Sequence, residues 1–489
     1  MLEKLAKQTA VYGISTILGR FLSYLLTPFY TRIFGLESYG IITDVYALIP
    51  FALVLLTLGM ESGYFRFAAK AEAAGGDVQA AKRRLFATTW GITSLAALIF
   101  FVLIVIFRVP VSAAMGEAYA AHPLYVVIVA AIILFDVAAC IPFSRLREQG
   151  RAMKFVSLKL FNIVMQVALA FAFWGIGLFD SEFGVGWAFV ANLAASVCTW
   201  ALVMTTTEGT APRIDRVLLA AVFVYSLPLL ISGIAGTANE FIDRQLIKYL
   251  VPEGAMAQLG IYGAITKIAV VMTLFTQMYR LAAEPFFLSN FRKEEFVAMN
   301  AAALKYYVMA SMMIFLGIAL FKELFALIVG PDFREGIFIL PVILGANVLN
   351  GVWLNLSFWY KREEKTKFAL VVTFAGLAFT ILGGALLIPR WGYYGAAWGR
   401  FISEAAMVAV SYALNRRFFP TPYDIRRILL YVAVGLALFF ASEYVVSQYT
   451  HGALRYAINV LLFAAYAAMA VRCEHIDLKA MARAVLKRR

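Results

Sequence analysis

The 489-residue sequence is short of charge, cysteine and histidine, and each shortage excludes something. Lys, Arg, Asp and Glu make up 15% of the chain, against about 25% in ordinary globular domains. So few charges cannot cover a water-facing surface, so a large part of the chain must face lipid. The three cysteines, Cys140, Cys198 and Cys473, are too few and too scattered for a disulfide framework or a zinc site. His122, His451 and His475 lie far apart, with no HExxH or other paired-ligand spacing, so no metal site is expected. No GxxxxGK[ST] run is present, so no nucleotide and no other cofactor is expected. The apolar stretches run unbroken over helix-spanning lengths and do not alternate, which excludes a β-barrel.

What the chain has is apolar surface: 63% hydrophobic residues and a mean hydropathy of +0.81. About fourteen helices of roughly 20 residues would use about 280 positions, a demand the composition meets. The fold class expected is an all-α polytopic membrane protein. Spans are placed near 9–32, 41–67, 85–107, 123–143, 155–178, 184–206, 217–243, 259–288, 300–321, 337–359, 368–388, 392–414, 428–446 and 453–471. The first is too long for a signal-peptide core and has no small-residue cleavage site after it, so it is read as a retained helix. The longest loops on the side away from the N-terminus are expected near 108–122 and 244–258.

Lys+Arg outnumber Asp+Glu by 43 to 29, for a net charge of +14. In a soluble protein this excess suggests nucleic acid; here its distribution reads as an orientation signal. With the N-terminus inside, the cytoplasmic segments collect about 28 cations against roughly eight opposite, an inside-positive ratio that supports an even number of spans with both termini cytoplasmic. Lys82, Arg83 and Arg84, then Arg145, Arg147, Arg151 and Lys154, then Lys361, Arg362, Lys365 and Lys367 mark the basic turns. Lys487-Arg488-Arg489 reads as a solvated tail against anionic lipid.

The chain also repeats itself at an offset of about 213 residues, with a small insertion. Val11-Tyr12 recurs as Val224-Tyr225, and Arg32 as Arg244. Tyr39-Gly40-Ile41-Ile42-Thr43 recurs as Tyr262-Gly263-Ala264-Ile265-Thr266. The basic turn ending at Phe155 matches the one ending at Phe368, and Gly186-Trp187-Ala188 matches Gly395-Ala396-Ala397-Trp398. Six helices per unit make two like-oriented lobes with a solute site at their interface. The expected organisation is an N-lobe at 1–206, a linker at 207–216, a C-lobe at 217–415, and two further helices with a basic tail at 416–489.

The run Phe29-Tyr30-Thr31-Arg32-Ile33-Phe34-Gly35 with Tyr39-Gly40 resembles the first helix and turn of polysaccharide flippases of the multidrug/oligosaccharidyl-lipid/polysaccharide superfamily. So do Leu58-Gly59-Met60-Glu61-Ser62-Gly63-Tyr64-Phe65-Arg66-Phe67 and Ser226-Leu227-Pro228-Leu229. The resemblance covers at least the first twelve spans. It implies two six-helix lobes around a cavity, alternating access, and movement of an undecaprenyl-diphosphate-linked oligosaccharide (an O-antigen, capsule or exopolysaccharide unit) across the bacterial inner membrane. Membrane lipids and other polysaccharide assembly proteins are the further partners it implies. Lipid II flippases are a related branch with fourteen helices, the added pair forming a groove for the lipid tail. That branch carries extra arginines late in helix 1 and in mid helix 2, where this chain has Leu25-Leu26 and Leu55-Leu56-Thr57.

Charges within spans are costly, roughly 2.5–3.5 kcal/mol each on insertion scales, and mark functional candidates. Thr16, Arg20, Ser23 and Thr27 lie on one face of the first helix, and Thr273, Gln277, Arg280 and Glu284 repeat the 4, 3, 4 spacing in the eighth. Lys159, Asn162 and Gln166 form a stripe in the fifth. A lipid diphosphate needs cations, and arginine forks suit it better than lysine; its sugars need amides. The substrate-binding candidates are therefore Arg20 and Arg280, with Lys159 and Lys267, and Asn162, Gln166 and Gln277. Gate or coupling candidates are Asp44, Glu61 and Arg66 on the second helix, Asp136, Glu240 and Asp243 for a coupling H+ or Na+, and Glu284, Arg400 and Glu404. Arg280–Glu284 and Arg400–Glu404 are equally i,i+4 pairs able to neutralise each other, and Lys159 is close enough to a helix end to snorkel. Pro28, Pro50, Pro228 and Pro285 lie in or at the ends of helices and permit bends.

A lipid II flippase and a cation-coupled multidrug exporter are the alternative transport readings; the cations on helices 1, 5 and 8 speak against the exporter. A membrane polymerase or ligase would place an acid–base constellation on a large outer loop. None is found, so an enzyme is not expected.

Overall fold

An apolar segment in lipid has only its own backbone to satisfy its N–H and C=O groups, so it folds as a helix. The computed structural model describes residues 24–290, 295–363, 365, 367–450 and 452–475, without the side chains of Glu240, Pro285 and residues 288–290. Arg20 and the basic tail lie outside the described residues, as does the side chain of Glu240. Among the described residues the long elements are α1 Leu26–Ile33, α2 Leu36–Leu56, α3 Met60–Ala74, α4 Val78–Ile106, α5 Leu124–Glu148, α6 Ala152–Gly175, α7 Gly186–Met204 and α8 Arg216–Leu250. They continue as α9 Ala255–Ile268, α10 Val270–Asn290, α11 Phe296–Ala319, α12 Leu340–Leu356, α13 Lys367–Phe418, α14 Ile425–Phe440 and α15 Gly452–Cys473.

Eleven described helices are long and apolar enough to cross a membrane, or twelve if the pair Ala255–Ile268 and Val270–Glu284, bent by 50°, counts as one span. At 52 residues, α13 would be about 78 Å long, more than twice the hydrocarbon core. It doubles back at Gly392, which has φ 54° and ψ −135°. Ser403 Oγ then donates to the Gly376 carbonyl at 2.8 Å, and a Cβ on Gly383 would lie 3.3 Å from the Gly399 Cα. Taking this hairpin as two spans brings the described count to twelve, or thirteen with the bent pair, near the fourteen expected; most of the first expected span, 9–32, lies outside the described residues.

By packing, the chain separates at residue 263/264 into two units. In the first, α2 and α3 follow one another through a break at Thr57–Gly59. Leu58 has φ 54° and Gly59 φ 67°; a left-handed residue other than glycine costs roughly 1–2 kcal/mol. Helix α8 sits against this break: a Cβ on Gly59 would come within 2.8 Å of the Ser226 carbonyl, and one on Gly63 would meet Ser226 and Val222. The repeated Tyr-Gly segments also pack on each other. A Cβ on Gly40 would collide with the Met256 carbonyl, one on Gly260 with the Leu36 carbonyl, and one on Gly263 with Thr43. Small residues let helices approach this closely in a membrane. The helix α8 is capped by Asp215, whose Oδ1 accepts from the Val217 and Leu218 N–H groups at 3.1 Å. It runs to Leu250, seven residues past the expected end, so the loop expected near 244–258 shrinks to 251–254. The other expected loop is largely helical, as Arg108–Met115 and Glu117–Ala120.

In the second unit α14 and α15 dock on α11 through polar contacts at both ends. Glu474 accepts from Lys305 at 2.5 Å, Tyr431 at 2.5 Å and Arg427 at 3.0 Å. Burial alone would raise the Glu474 carboxyl, but these donors outweigh it and hold it at about 2. At the other end Lys322 pairs with Glu443, and Arg455 with Glu323 at 2.9 Å. Asn459 Nδ2 donates to the Leu320 carbonyl at 2.6 Å.

Candidate functional site

Four helices of the first unit carry polar stripes into one cavity of about 430 Å³. Helix α5 supplies Asp136, Cys140, Phe143 and Arg147, spaced 4, 3, 4, and α6 supplies Phe155, Lys159 and Asn162, spaced 4, 3. Those intervals keep each set on one helix face. Thr57, Glu61 of α3, and Ser196 and Thr199 of α7 complete the polar lining. Of the residues singled out in the sequence, Glu61, Asp136, Lys159 and Asn162 are thus brought together. The sequence reading places Arg147 only in a basic turn and does not single out Ser196 or Thr199; for Arg147 the 4, 3, 4 spacing from Asp136 is the available signal.

The cavity holds two cations and two carboxylates, and one cation and one carboxylate are in direct contact. Arg147 Nη1 donates to Glu61 Oε1 at 2.5 Å, with its guanidinium 4.9 Å from the Phe65 ring centre. The Lys159 ammonium lies 4.3 Å from the Phe143 ring centre and lines the cavity together with Asp136 and Ser196. Asn162 donates to Thr199 at 3.1 Å. One turn beyond, Gln166 donates to the Tyr46 hydroxyl at 3.0 Å. Arg145, two residues before Arg147, falls on the opposite helix face. There it holds the 205–215 segment through the Thr207 carbonyl at 2.9 Å and Glu208 at 2.7 Å. That segment is fixed further along by Arg84, which pairs with Asp215. The N–H of Leu218 and the Arg84 charge outweigh desolvation and keep the Asp215 carboxyl below its usual value.

At the opposite end of the same unit Asp44 is 1% exposed. Its Oδ1 accepts from Gln245 at 2.6 Å, and its Oδ2 from Tyr119 at 2.7 Å and Lys248 at 2.5 Å. This ties α2 to α8 and to the short helix Glu117–Ala120. Burial first, then the Asp44 charge, raises the Tyr119 phenol well above its usual value. Asp243 accepts from Tyr262 at 2.8 Å and pairs with Arg244 at 3.3 Å. Arg66 stands apart from these, its guanidinium 4.1 Å from the Tyr225 ring centre.

In the second unit Arg280 does have the neutralising partner its spacing suggested. Its Nε is 3.4 Å from Glu284 Oε2, and Lys361 holds the other Glu284 oxygen at 2.7 Å. Gln277 is half-buried on the same helix. Arg400 donates to Asn347 at 3.4 Å, and Glu404 accepts from Asn350 at 3.1 Å. Lys267 follows Thr266 as Asp44 follows Thr43 in the repeat, an acid in one copy and a base in the other.

Residues 5–291 match the family model described as polysaccharide biosynthesis protein. The chain belongs to that family. No curated protein matches its sequence. A solved structure of the lipid II flippase MurJ in an inward closed conformation is similar, with a TM-score of 0.76 at 13% identity, covering 96% of this chain and 100% of that one. An inward-facing multidrug resistance transporter of the MATE family, in the MOP superfamily, gives a TM-score of 0.66 at 16% identity over 87% of this chain and 96% of that one. The MATE multidrug transporter DinF-BH gives 0.61 at 16% identity over 86% of this chain and 96% of that one. The all-helical fold of this family member is therefore that of the flippases and transporters of the MOP superfamily.

Proposed function

We propose that this protein moves a lipid-diphosphate-linked oligosaccharide from the inner to the outer leaflet by alternating access, and that the first-unit cavity receives the polar head. The observation that carries this reading is the lining itself. Two cations, Arg147 and Lys159, share the cavity with the carboxylates Glu61 and Asp136 and with amide and hydroxyl groups, Arg147 being bonded to Glu61. A diphosphate competes with Asp136 and Glu61 for those cations, and Asn162, Ser196 and Thr199 offer hydrogen bonds to sugar hydroxyls. Carboxylates released in this exchange are the natural place for a coupling H+ or Na+. Arg20 and Arg280 remain proposed cations of the same pathway, and Asp44 with Lys248 a gate. The inside-positive pattern supports an orientation with the basic turns and both termini in the cytoplasm of a bacterium, and the protein in its inner membrane.

Deletion of the gene tests the substrate class: loss of a surface polysaccharide in a viable cell is expected. The lipid II reading rests on a different observation. The MurJ structure covers 96% of this chain, whereas the two MATE structures cover 86–87%. A deletion that kills the cell through loss of peptidoglycan would favour it. Replacing Lys159 and Arg147 together by alanine should abolish export at unchanged protein level; full export by that variant would overturn the cavity as the head-group site.

A further inference from the structure

A second cavity of about 250 Å³ lies in the first unit, beside the buried Asp44. Its walls are Leu48 of α2, Phe100 and Ile104 of α4, Val126, Val129 and Ile133 of α5, and Phe241 of α8. Its one polar side is Asp44, Tyr119, Gln245 and Lys248, and that side has little left to offer a guest. Both Asp44 oxygens are occupied. The Lys248 ammonium, bonded to Asp44, otherwise faces the rings of Tyr119 at 4.6 Å and Tyr249 at 5.3 Å. Water needs two to four polar partners to stay in a cavity, and an anionic or cationic head would find no free counter-charge.

The outer wall decides which apolar guest can reach it. Helix α4 is a candidate membrane span, and its Leu98, Ile99, Val102, Leu103 and Ile106 are exposed. The medium against that wall is the hydrocarbon of the bilayer. Asp44 is eight residues into α2, about 12 Å along the helix axis.

We infer that this cavity is a binding site for one acyl chain of a bilayer phospholipid. The chain enters past α4 from the leaflet at this end of the bundle. It keeps water from the Asp44–Lys248 pair, which strengthens the pair's attraction, so lipid occupancy favours the closed state of this end. The site is separate from the head-group cavity and does not depend on what the protein transports.

The test is photolabelling of the full protein, reconstituted with phosphatidylethanolamine bearing a diazirine at the end of one acyl chain. Labels are expected on Phe100, Ile104, Val129 and Ile133. Filling the cavity with Val129→Trp should cut labelling there about tenfold, with labels on the outward residues Leu98 and Val102 unchanged. Should V129W fail to fold, Ile133→Phe is used, and the same selective loss is expected. Equal labelling of the filled and unfilled protein, or labels confined to the outward residues, would overturn the site. Displacement by polyprenyl phosphate but not by excess unlabelled phospholipid would overturn the assignment to an acyl chain.

Discussion

Two acid–base pairs in the first unit have the same 2.5 Å separation and opposite surroundings. The Asp44 and Lys248 side chains are 2% and 5% exposed, and those of Glu61 and Arg147 are 43% and 40% exposed. Distance therefore says nothing of what each pair does. Exposed pairs contribute about 0–1 kcal/mol and exchange partners readily. Removing one member of a buried pair costs about 3–5 kcal/mol, because the other charge is stranded. The first pair holds an end of the unit together; the second, under the proposed function, lets go when an anion arrives.

Breaking the buried pair is expected to have the largest effect. Lys248→Ala should destabilise the protein by about 3–5 kcal/mol, read as a fall in melting temperature in detergent. Asp44→Asn combined with Lys248→Met should recover most of the loss; a K248A protein that melts like the parent would erase the contrast between the two pairs.

The same end also rests on backbone contact. Gly40→Ala pushes a methyl group into the Met256 carbonyl and should cost about 1–3 kcal/mol by overpacking. Gly76→Ala, at a glycine with open space around it but φ 75°, gives a comparison in which only backbone strain acts. Melting curves of the two variants separate packing from strain.

Glu474 extends the contrast to the second unit, being 2% exposed beside Lys305. Its carboxyl is held at about 2, below its ordinary value. Its stabilising contribution is therefore full above about pH 5 and is lost as pH falls from about 4 towards 2. A spin-label distance between α11 and α15 should stay constant from pH 8 to about 4 and lengthen only as pH falls towards about 2; Glu474→Gln should remove that dependence.

The exposed pair should give the smallest stability change. Glu61→Gln is expected to shift stability by less than about 1 kcal/mol, while freeing Arg147 to bind a diphosphate lipid more tightly. Melting and lipid-binding titration of the same preparation check both halves.

Much of the fold is legible in the sequence. Composition and unbroken apolar runs are bulk properties of a membrane helix, so the spans and their approximate ends follow from them. The Lys159–Asn162 stripe is legible because helical spacing is local. Lys248 is misplaced by an expected helix end at 243, which leaves it in a loop; α8 runs to Leu250, and the Asp44 partnership exists only through tertiary packing. Arg147 is hidden by its neighbours, since a basic turn and a cavity face look alike in composition. The break at Leu58 is not legible at all: nothing in a leucine announces a left-handed backbone, which is imposed here by the close seat of α8 on Gly59 and Gly63.

The central claim is that the Lys159 ammonium in the first-unit cavity meets the anionic head of a transported lipid. Charge reversal with retention tests it most directly: polysaccharide export measured in cells carrying Lys159→Glu or Lys159→Arg, at matched protein levels in the membrane. The account predicts export lost in the first and kept in the second. Normal export by the Lys159→Glu protein would contradict it.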